Sequence, residues 1–484
     1  MSSWLDPKWQ GQSVVVAGMG ASGLAMARYL SRAGARVTMI DTRENPPNRE
    51  RIRRQFPAIQ LYCGHADATF EKTLCRARAL CMSPGLSMEV GVTGAWVRLA
   101  RSHQVEVMGE IELFAQTLAY LKKTTGYSPR IVGITGTNGK TTTTVLTARL
   151  LQALGWTVKA AGNIGPNAIT ELWHAAQEGT LPDAWVLELS SFQLASTQSL
   201  HCDAATLLNI TEDHIDWHGS MSGYARAKKR IFAHADVGIV PVGRSWAQEA
   251  TKQRYFGASD PQADGYWGLV HQDGELWIAY REARKTHCVV RESDLLIRGR
   301  HNTLNAMVAL ALVQACGANP RQVRRALVTY RGEAHRVEVV ARFGDLDVID
   351  DSKGTNVGAV QAALEGLGAQ GKKIFVLMGG DGKGQDFAPL LEPLQAYVKG
   401  VALIGMDREK IATVVAQAKV PYRIFASLEE AVHWLWRQAQ KETGPRILLL
   451  SPACASWDMF KDYAERSARF IAATKKEAQQ SLIG

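Results

Sequence analysis

Short, mostly apolar runs alternate with polar, glycine-bearing loops and helix-favouring stretches along most of this chain. Runs at Ser13–Ala17, Arg36–Ile40, Ile131–Ile134, Asp183–Leu187 and Ala204–Leu208 each read as a strand buried in a sheet. The pattern recurs at Leu346–Ile349, Lys373–Met378, Ala402–Ile404, Arg423–Phe425 and Ile447–Leu450. Helices are predicted from the glycine turn after Ala17 to about Ala33, over Val145–Leu154 and Tyr224–His234, and from His301 to Cys316. Strands alternating with helices predict parallel sheets. Residues Tyr255–Val290 differ. Apolar and polar positions alternate there, with Asp273-Gly274 between Val270 and Leu276-Trp-Ile278, which predicts a β-hairpin.

At 484 residues the chain has room for several cores, and its 46% hydrophobic and 21% charged content is that of a globular protein. No apolar stretch is long enough to cross a bilayer, and the N-terminus lacks an apolar signal segment, so membrane insertion is not expected and a cytoplasmic location is. Seven scattered cysteines without a C-x-x-C pair suit reduced, buried thiols. The formal net charge of +10 is spread in small clusters such as Arg49–Arg54, interrupted by Glu and apolar residues, which speaks against nucleic acid and suits polyanionic small substrates.

The candidate chemistry lies in the loops that follow the predicted strands. Ile131–Ile134 leads into Thr135-Gly-Thr-Asn-Gly-Lys-Thr141, a glycine turn that opens a helix. Such a turn lets backbone N–H groups approach phosphate oxygens, places Lys140 on the β/γ-phosphates and turns the Thr141 hydroxyl to Mg²⁺. The match to G-x-x-x-x-G-K-[ST] is imperfect, because Ile134 stands where the first Gly belongs and Gly133 is one residue early. Gly18-Met-Gly-Ala-Ser-Gly23, with Asp41 18 residues further on, has the form of a diphosphate- or ribose-binding turn. Ser83-Pro-Gly85 reads as a plain turn. Glu188 at a strand end suits Mg²⁺. His214 fits either a hydrogen-bonding role or metal ligation. Lys228, Lys229 and Arg230 read as an exposed basic helix face. Asn302 is equally a helix cap or an adenine contact. Three further loops, Asp350-Asp-Ser-Lys-Gly-Thr355, Gly379-Gly-Asp-Gly-Lys383 and Ser451-Pro-Ala-Cys-Ala-Ser456, place Lys353, Lys383 and Ser456 at one sheet edge as an anion site.

These strings together resemble the Mur ligases of peptidoglycan synthesis nearly end to end. The resemblance also runs through Gly109-Glu-Ile-Glu-Leu-Phe114, Glu188-Leu-Ser-Ser-Phe-Gln-Leu194, Asn209-Ile-Thr-Glu-Asp-His214, His335-Arg336 and Asp351-Ser-Lys-Gly-Thr-Asn356. The phosphate loop is shared across the superfamily, whereas the Leu-Glu-Leu-Ser-Ser-Phe-Gln, Asp-Ser-Lys and Ser-Pro-Ala-Cys-Ala-Ser strings favour the branch that adds D-glutamate. The fold implied is α/β with three domains. A Rossmann-like domain for the UDP-substrate spans 1–125, a central P-loop ATPase-type parallel sheet 126–332, and a Rossmann-like domain that binds the amino acid and closes over ATP 333–484. The activity implied is ATP-dependent ligation of D-glutamate to UDP-N-acetylmuramoyl-L-alanine through an acyl phosphate, by a monomer using ATP and two Mg²⁺ ions.

The roles implied by the resemblance are as follows. Gly136, Thr137, Asn138, Gly139, Lys140, Thr141 and Thr142 would hold the ATP phosphates, with Asn302, Asn305, Arg336, Asp351 and Lys353 completing the ATP site. Gly20, Ser22, Gly23, Asp41, Thr42, Arg43, Ser83, Asn163, Ser190 and Gln193 would bind the UDP-substrate. Thr355, Lys383, Ser456 and Tyr463 would bind D-glutamate. Thr141, Glu188, His214 and Lys228 as a carbamate would be the metal ligands, and Lys140, His214 and Lys228 the catalytic residues. The carbamate replaces the exposed-face reading of Lys228. Tyr463 stands where Phe is common, Trp457 where a smaller residue is usual, Gly354 is expected to loosen its loop, and Ala115–Arg130 is longer than typical. Within the ligases the nearest rival adds a different amino acid, which the Asp351-Ser-Lys353 and Ser451–Ser456 strings count against, and two readings of other classes are weaker. A dehydrogenase built on Gly18–Gly23 leaves the phosphate loop unexplained, and a non-catalytic sensor would not need Lys140, Glu188, His214 and Lys228 together.

Overall fold

The computed structural model describes residues 4–483. The chain divides into two compact units, one of residues Met1–Ile210, Trp217–Ser293 and Asn305–Leu327, the other of Thr211–Asp216, Asp294–Leu304 and Val328–Gly484. The first unit holds two sheets and the second holds one.

The first sheet runs β1 (Ser13–Ala17), β2 (Arg36–Asp41), β3 (Gln60–Cys63), β4 (Ala79–Met82) and β5 (Glu106–Met108), in the order β3-β2-β1-β4-β5 and all parallel. The strand order reverses at β1, so the loops after β1 and β4 flank the crevice where open parallel sheets take ligands.

The second sheet comprises β6 (Arg130–Thr135), β7 (Val158–Gly162), β8 (Ala184–Glu188), β9 (Cys202–Leu207), β10 (Ala235–Pro241), β11 (Lys252–Phe256), β12 (Tyr266–Gln272), β13 (Glu275–Glu282) and β14 (Lys285–Arg291). Its order is β14-β13-β12-β11-β10-β9-β6-β8-β7. β6 lies between β8 and β9, so the phosphate loop leaves this sheet at its own switch point. The expected hairpin is β12–β13, turning at Asp273 and Gly274, and β14 extends it to three antiparallel strands. The predicted helix at 224–234 is shorter, an α-helix over Met221–Lys229 followed by a 3₁₀ turn over Arg230–Phe232.

One apolar core runs through both sheets of this unit. Phe114, on helix Glu110–Thr125, meets Trp185 of β8 edge-on with ring centroids 5.2 Å apart. Two buried carboxylates on the same helix link it to the second sheet. Glu112 accepts the Gln198 and Ser199 amides and the Ser199 hydroxyl. Glu110 accepts the Ile169 amide at 2.6 Å, on the first turn of helix Ala168–Glu178, where a carboxylate also faces the positive end of the helix dipole. Its Oε2 makes no hydrogen bond. Burial pushes the Glu110 carboxyl from an ordinary 4.5 up to about 7, against the opposing pull of the Ile169 and Ala168 amides. The folded chain therefore holds a proton that the unfolded chain releases between those values, and stability falls as pH rises through that window. Glu110→Gln is expected to remove up to about 3 kcal/mol of this decline. Urea unfolding of both proteins at pH 5 and pH 7.5 tests this, and an identical pH response in the two would refute it.

The second unit's sheet contains β15 (Glu338–Phe343), β16 (Leu346–Asp350), β17 (Lys373–Gly379), β18 (Val398–Ile404), β19 (Tyr422–Ile424) and β20 (Arg446–Leu450), ordered β15-β16-β20-β17-β18-β19. All five predicted strands are present. The added β15 pairs antiparallel at the edge. β20 sits between β16 and β17, so the three polar loops singled out in the sequence leave adjacent strands at one end of the sheet.

All seven cysteines are free. Cys81, Cys202, Cys316 and Cys454 are buried as expected, and Cys63, Cys75 and Cys288 are half-buried.

Candidate functional site

The phosphate loop closes on Gly139, whose φ of +84° lies in the left-handed region and where a Cβ would come within 2.5 Å of Asn305 Oδ1. Only glycine fits both conditions. Lys140 then opens helix Lys140–Gln152, whose first turn carries the buried Thr141–Thr144. Asn209 braces the loop from the end of the neighbouring strand. Its Oδ1 accepts the Asn138 amide at 2.9 Å, its Nδ2 donates to Asn138 O, and its carbonyl accepts the Thr137 amide. Thr137 Oγ1 also lies 3.1 Å from the Tyr224 hydroxyl.

Two ammonium groups converge here. Lys140 Nζ donates to Gly136 O at 2.9 Å and to Thr137 O at 2.8 Å. Lys228 Nζ donates to the same Gly136 O at 2.9 Å and sits 4.7 Å from the Tyr224 ring centroid. Lys228 is 2% exposed, which corrects the exposed-face reading made from the residues alone; its neighbours Lys229 and Arg230 do face solvent. The helix turns Lys228 inward on the stripe that also buries Tyr224 and Ala227.

Glu188 ends β8, next to the strand that feeds the phosphate loop. Its Oε1 accepts Asn163 Nδ2 at 2.8 Å, and its Oε2 is buried with no hydrogen-bond partner. A buried carboxylate oxygen left in that state, on a strand adjacent to a phosphate loop with a threonine hydroxyl at its helix start, fits a hard divalent cation. His214, a further metal candidate, belongs to the second unit and has a left-handed φ of +55°. Its Nε2 lies 3.5 Å from Asp213 Oδ2.

In the first sheet, Gly18 (φ +93°) and Gly23 are dictated by close approach. A Cβ on Gly18 would meet Ser83 Oγ at 2.5 Å, and one on Gly23 would meet Gly18 O at 1.8 Å. This brings Ser83, whose buried hydroxyl makes no hydrogen bond, onto the Gly-x-Gly turn. Gly20 caps the following helix with open space above it. Asp41 accepts the Met19 amide at 2.7 Å and a two-pronged contact from Arg43 at 2.8 Å per prong. Burial pushes its carboxyl up, but the Arg43 and Met19 bonds outweigh that and hold it below the usual carboxylate range. Thr42 is exposed beside this pair. Asn167 Nδ2 donates to Ser22 Oγ at 3.1 Å. Ser190 and Gln193 form a capping box with each other at the start of helix Ser191–Ala195.

In the second unit the three loops are laced together. Ser451 Oγ donates to Asp351 Oδ2 at 2.7 Å, the Ala453 amide to Gly354 O at 2.9 Å, and Asp381 and Ala455 exchange backbone bonds. Burial drives the Asp351 carboxyl up to about 7 against the pull of Ser451 and Arg336. The expectation that Gly354 loosens its loop is corrected. Gly354 is buried, and a Cβ there would strike Asp351 Oδ2 at 2.4 Å, so glycine allows the loop to close tightly. Lys353 Nζ lies 4.9 Å over the Tyr463 ring, Lys383 Nζ lies 3.7 Å from Asp213 Oδ1, and Ser456 is buried. Thr355 is half-buried, and Trp457 is 75% exposed. A cavity of about 520 Å³ in this unit is lined by Arg298, His301, Asn302 and Arg336, bringing two of the ATP candidates together. Asn302 Nδ2 donates to Arg298 O one helical turn back, whereas Asn305 belongs to the other unit.

Sequence reasoning missed Arg466. It is fully buried and donates to Ser352 Oγ, Ser352 O and Cys454 O, clamping two of the three loops. Asp350 does similar work, holding His335 Nδ1 and Ser467 Oγ at 2.6 Å. Neither role had a local signal, since the partners of Arg466 at Ser352 lie 114 residues away.

Three family descriptions match this sequence: Mur ligase MurD-like N-terminal domain over residues 12–109, Mur ligase middle domain over 134–313, and Mur ligase glutamate ligase domain over 335–454. The chain belongs to the Mur ligase family. Among its relatives, the UDP-N-acetylmuramoylalanine--D-glutamate ligase of Ralstonia nicotianae is 44% identical, with 94% of this chain and 95% of that protein covered. The enzyme of the same name from Burkholderia cenocepacia is 43% identical over 95% and 96% of the two chains. Solved structures share the fold. The MurF ligase of Thermotoga maritima in complex with ADP matches with a TM-score of 0.57 at 16% identity, covering 99% of this chain and 97% of its own. MurC from the same organism matches with a TM-score of 0.57 at 17% identity, covering 96% and 99%.

Proposed function

We propose that this chain is the ATP-dependent ligase that joins D-glutamate to UDP-N-acetylmuramoyl-L-alanine, releasing ADP and phosphate, in peptidoglycan precursor synthesis. The observation that carries the reading is the meeting of Lys140 and Lys228 at Gly136 O, on a strand adjacent to the one ending at Glu188. Two ammonium groups meeting beside a glycine turn at a helix start concentrate positive charge where an anion would bind. The alanyl carboxylate attacks the γ-phosphoryl group, forming an acyl phosphate and ADP. The D-glutamate amine then attacks that carbonyl, phosphate leaves, and the nitrogen loses a proton as the amide forms. The first step brings two anions together, so positioning and charge neutralisation supply most of the catalysis.

In this reading the backbone of Gly136–Thr142 cradles the phosphates, and Lys140 swings from its own loop carbonyls to the β/γ oxygens. Asn302, Asn305, Arg336, Asp351 and Lys353 hold the rest of ATP. Thr141, Glu188 and Lys228 as a carbamate would hold Mg²⁺, with His214 serving a second ion. When bound, Mg²⁺ offsets the negative charge of the phosphates and of the attacking carboxylate. Gly20, Ser22, Gly23, Thr42 and Ser83 line the UDP end. Asp41 shapes that turn through Met19 and Arg43, Asn163 orients Glu188, and Ser190 and Gln193 cap the helix beside it. Thr355, Lys383, Ser456 and Tyr463 receive D-glutamate, and Arg466 keeps their loops in register. The working form is a monomer in the cytoplasm, and among the described residues no helix is long and apolar enough to cross a membrane.

The test is ADP release with UDP-N-acetylmuramoyl-L-alanine, ATP and Mg²⁺ across a panel of amino acids. Turnover is expected with D-glutamate alone. Turnover with a different amino acid would keep the chemistry and overturn the assignment of the second unit's loops. Silence with every acceptor would overturn the ligase reading.

A further inference from the structure

Away from the three loops, the second unit carries a groove of about 1010 Å³ between helix Leu428–Gln440 and helix Tyr463–Ile483, closed at one end by the residues at and after β19. Its lining combines Arg423, Phe425, Trp434, Arg437, Lys441 and Lys476. Phe425 and Trp434 are half-buried and meet at a centroid distance of 5.9 Å, offering an apolar floor that is neither sealed nor covered.

The charge around that floor is unbalanced. Glu429 is taken up by Arg469 through two bonds of 2.8 Å, and Glu477 accepts His433 Nδ1 at 2.9 Å. Among the described residues, Arg423, Arg437, Lys441 and Lys476 make no ion pair, and Glu430 is the one unpaired acid lining the groove. Arg423 instead lies 5.4 Å over the Phe425 ring, and Lys441 donates to Gln438. Four cations around two aromatic rings, with a single free carboxylate, complement an anion that carries an apolar group.

The shape narrows the occupant further. Glu430, Trp434, Arg437 and Lys441 form one stripe along their helix, spanning about 16 Å at 1.5 Å per residue. Arg437 and Lys441 are four residues apart, a rise of about 6 Å, close to the roughly 6.7 Å between alternate residues of an extended chain. Alternate carboxylates of an extended peptide would therefore step along the helix in register with its cations. β19, whose last residues border the groove, is the edge strand of its sheet and leaves main-chain groups open to such a chain.

We propose that this groove docks an acidic, extended segment of a partner protein, anchored by an aromatic or aliphatic side chain against Phe425 and Trp434. The probe is a fluorescein-labelled peptide of about eight residues, alternating Glu with small polar residues around a central Phe, followed by fluorescence anisotropy against the full chain. Saturable binding is expected, weakened at least about tenfold by the double charge reversal Arg437→Glu/Lys476→Glu and comparably by replacing the peptide's Phe with Ser. Both reversed positions are exposed, so folding and ADP formation should be unchanged in that variant. A third arm asks whether phosphatidylglycerol vesicles compete for the groove. Absence of binding, binding indifferent to the charge reversal, or equal binding with and without the Phe would each overturn the proposal. Vesicles that displace the peptide and lose their own binding in the reversed variant would reassign the groove to a lipid surface.

Discussion

Lys140→Ala is expected to lower ADP formation by at least about three orders of magnitude while leaving the fold intact. The ammonium bonds to Gly136 O and Thr137 O of its own loop, and it is half-buried, so its removal opens no apolar cavity. The loop keeps its shape through Asn209 and the close fit of Gly139 against Asn305, neither of which depends on the lysine. What would disappear is the cation proposed to shift onto the phosphate oxygens as charge builds between the two reacting anions. Steady-state ADP release, paired with thermal unfolding, separates the two consequences. Turnover undiminished in a folded variant would remove the phosphate-loop assignment.

Lys228→Ala is expected to be inactive, with a loss of about two to four orders of magnitude, and to regain part of its activity when a short carboxylate such as acetate is supplied. The Lys228 amine is 2% exposed and shares one carbonyl oxygen with Lys140, beside the loop proposed to hold the ATP phosphates. Addition of CO₂ to the neutral amine forms the N–C bond of a carbamate and releases a proton. The proposed carbamate would turn the group into an anionic oxygen ligand. Truncation to Ala leaves a cavity of matching depth that an exogenous carboxylate can enter. Full activity of the variant without any additive, or recovery in bicarbonate-free buffer alone, would discredit the carbamate role.

Much of the fold was legible because strand, glycine turn and helix start are local features. The apolar runs fell where β1, β2, β6, β8 and β9 lie, and the second unit's five predicted strands are all present. Short edge elements were not legible. β3, β5 and β15 are three to six residues long and lie at sheet edges, too short for a periodic pattern to mark them. The site divides along the same line. Gly139, Lys140 and Thr141, proposed here to hold phosphate, could be named from their loop, since phosphate binding by a turn uses consecutive residues. Asp41, Asn163, Ser190 and Gln193 could be named as candidate contacts, but their hydrogen bonds to Met19, to Glu188 and within the 190–193 turn are set by the fold.

The sequence by itself determined the chemistry on offer: a turn suited to phosphate, carboxylates and lysines at strand ends, and glycines at several positions where the backbone turns left-handed or approaches closely. Those properties reside in one residue or in a few consecutive ones. Tertiary structure decided which polar groups are already spent and which are left over. Whether Lys228 faces water or Gly136 O, 92 residues away, depends on how a helix is rotated against a sheet. The same holds for Asn209 beneath Asn138, Arg466 under Ser352, and the orphaned Oε2 of Glu188. The energy of a buried polar group is set by its partners, and partners distant in sequence meet only when the chain has folded.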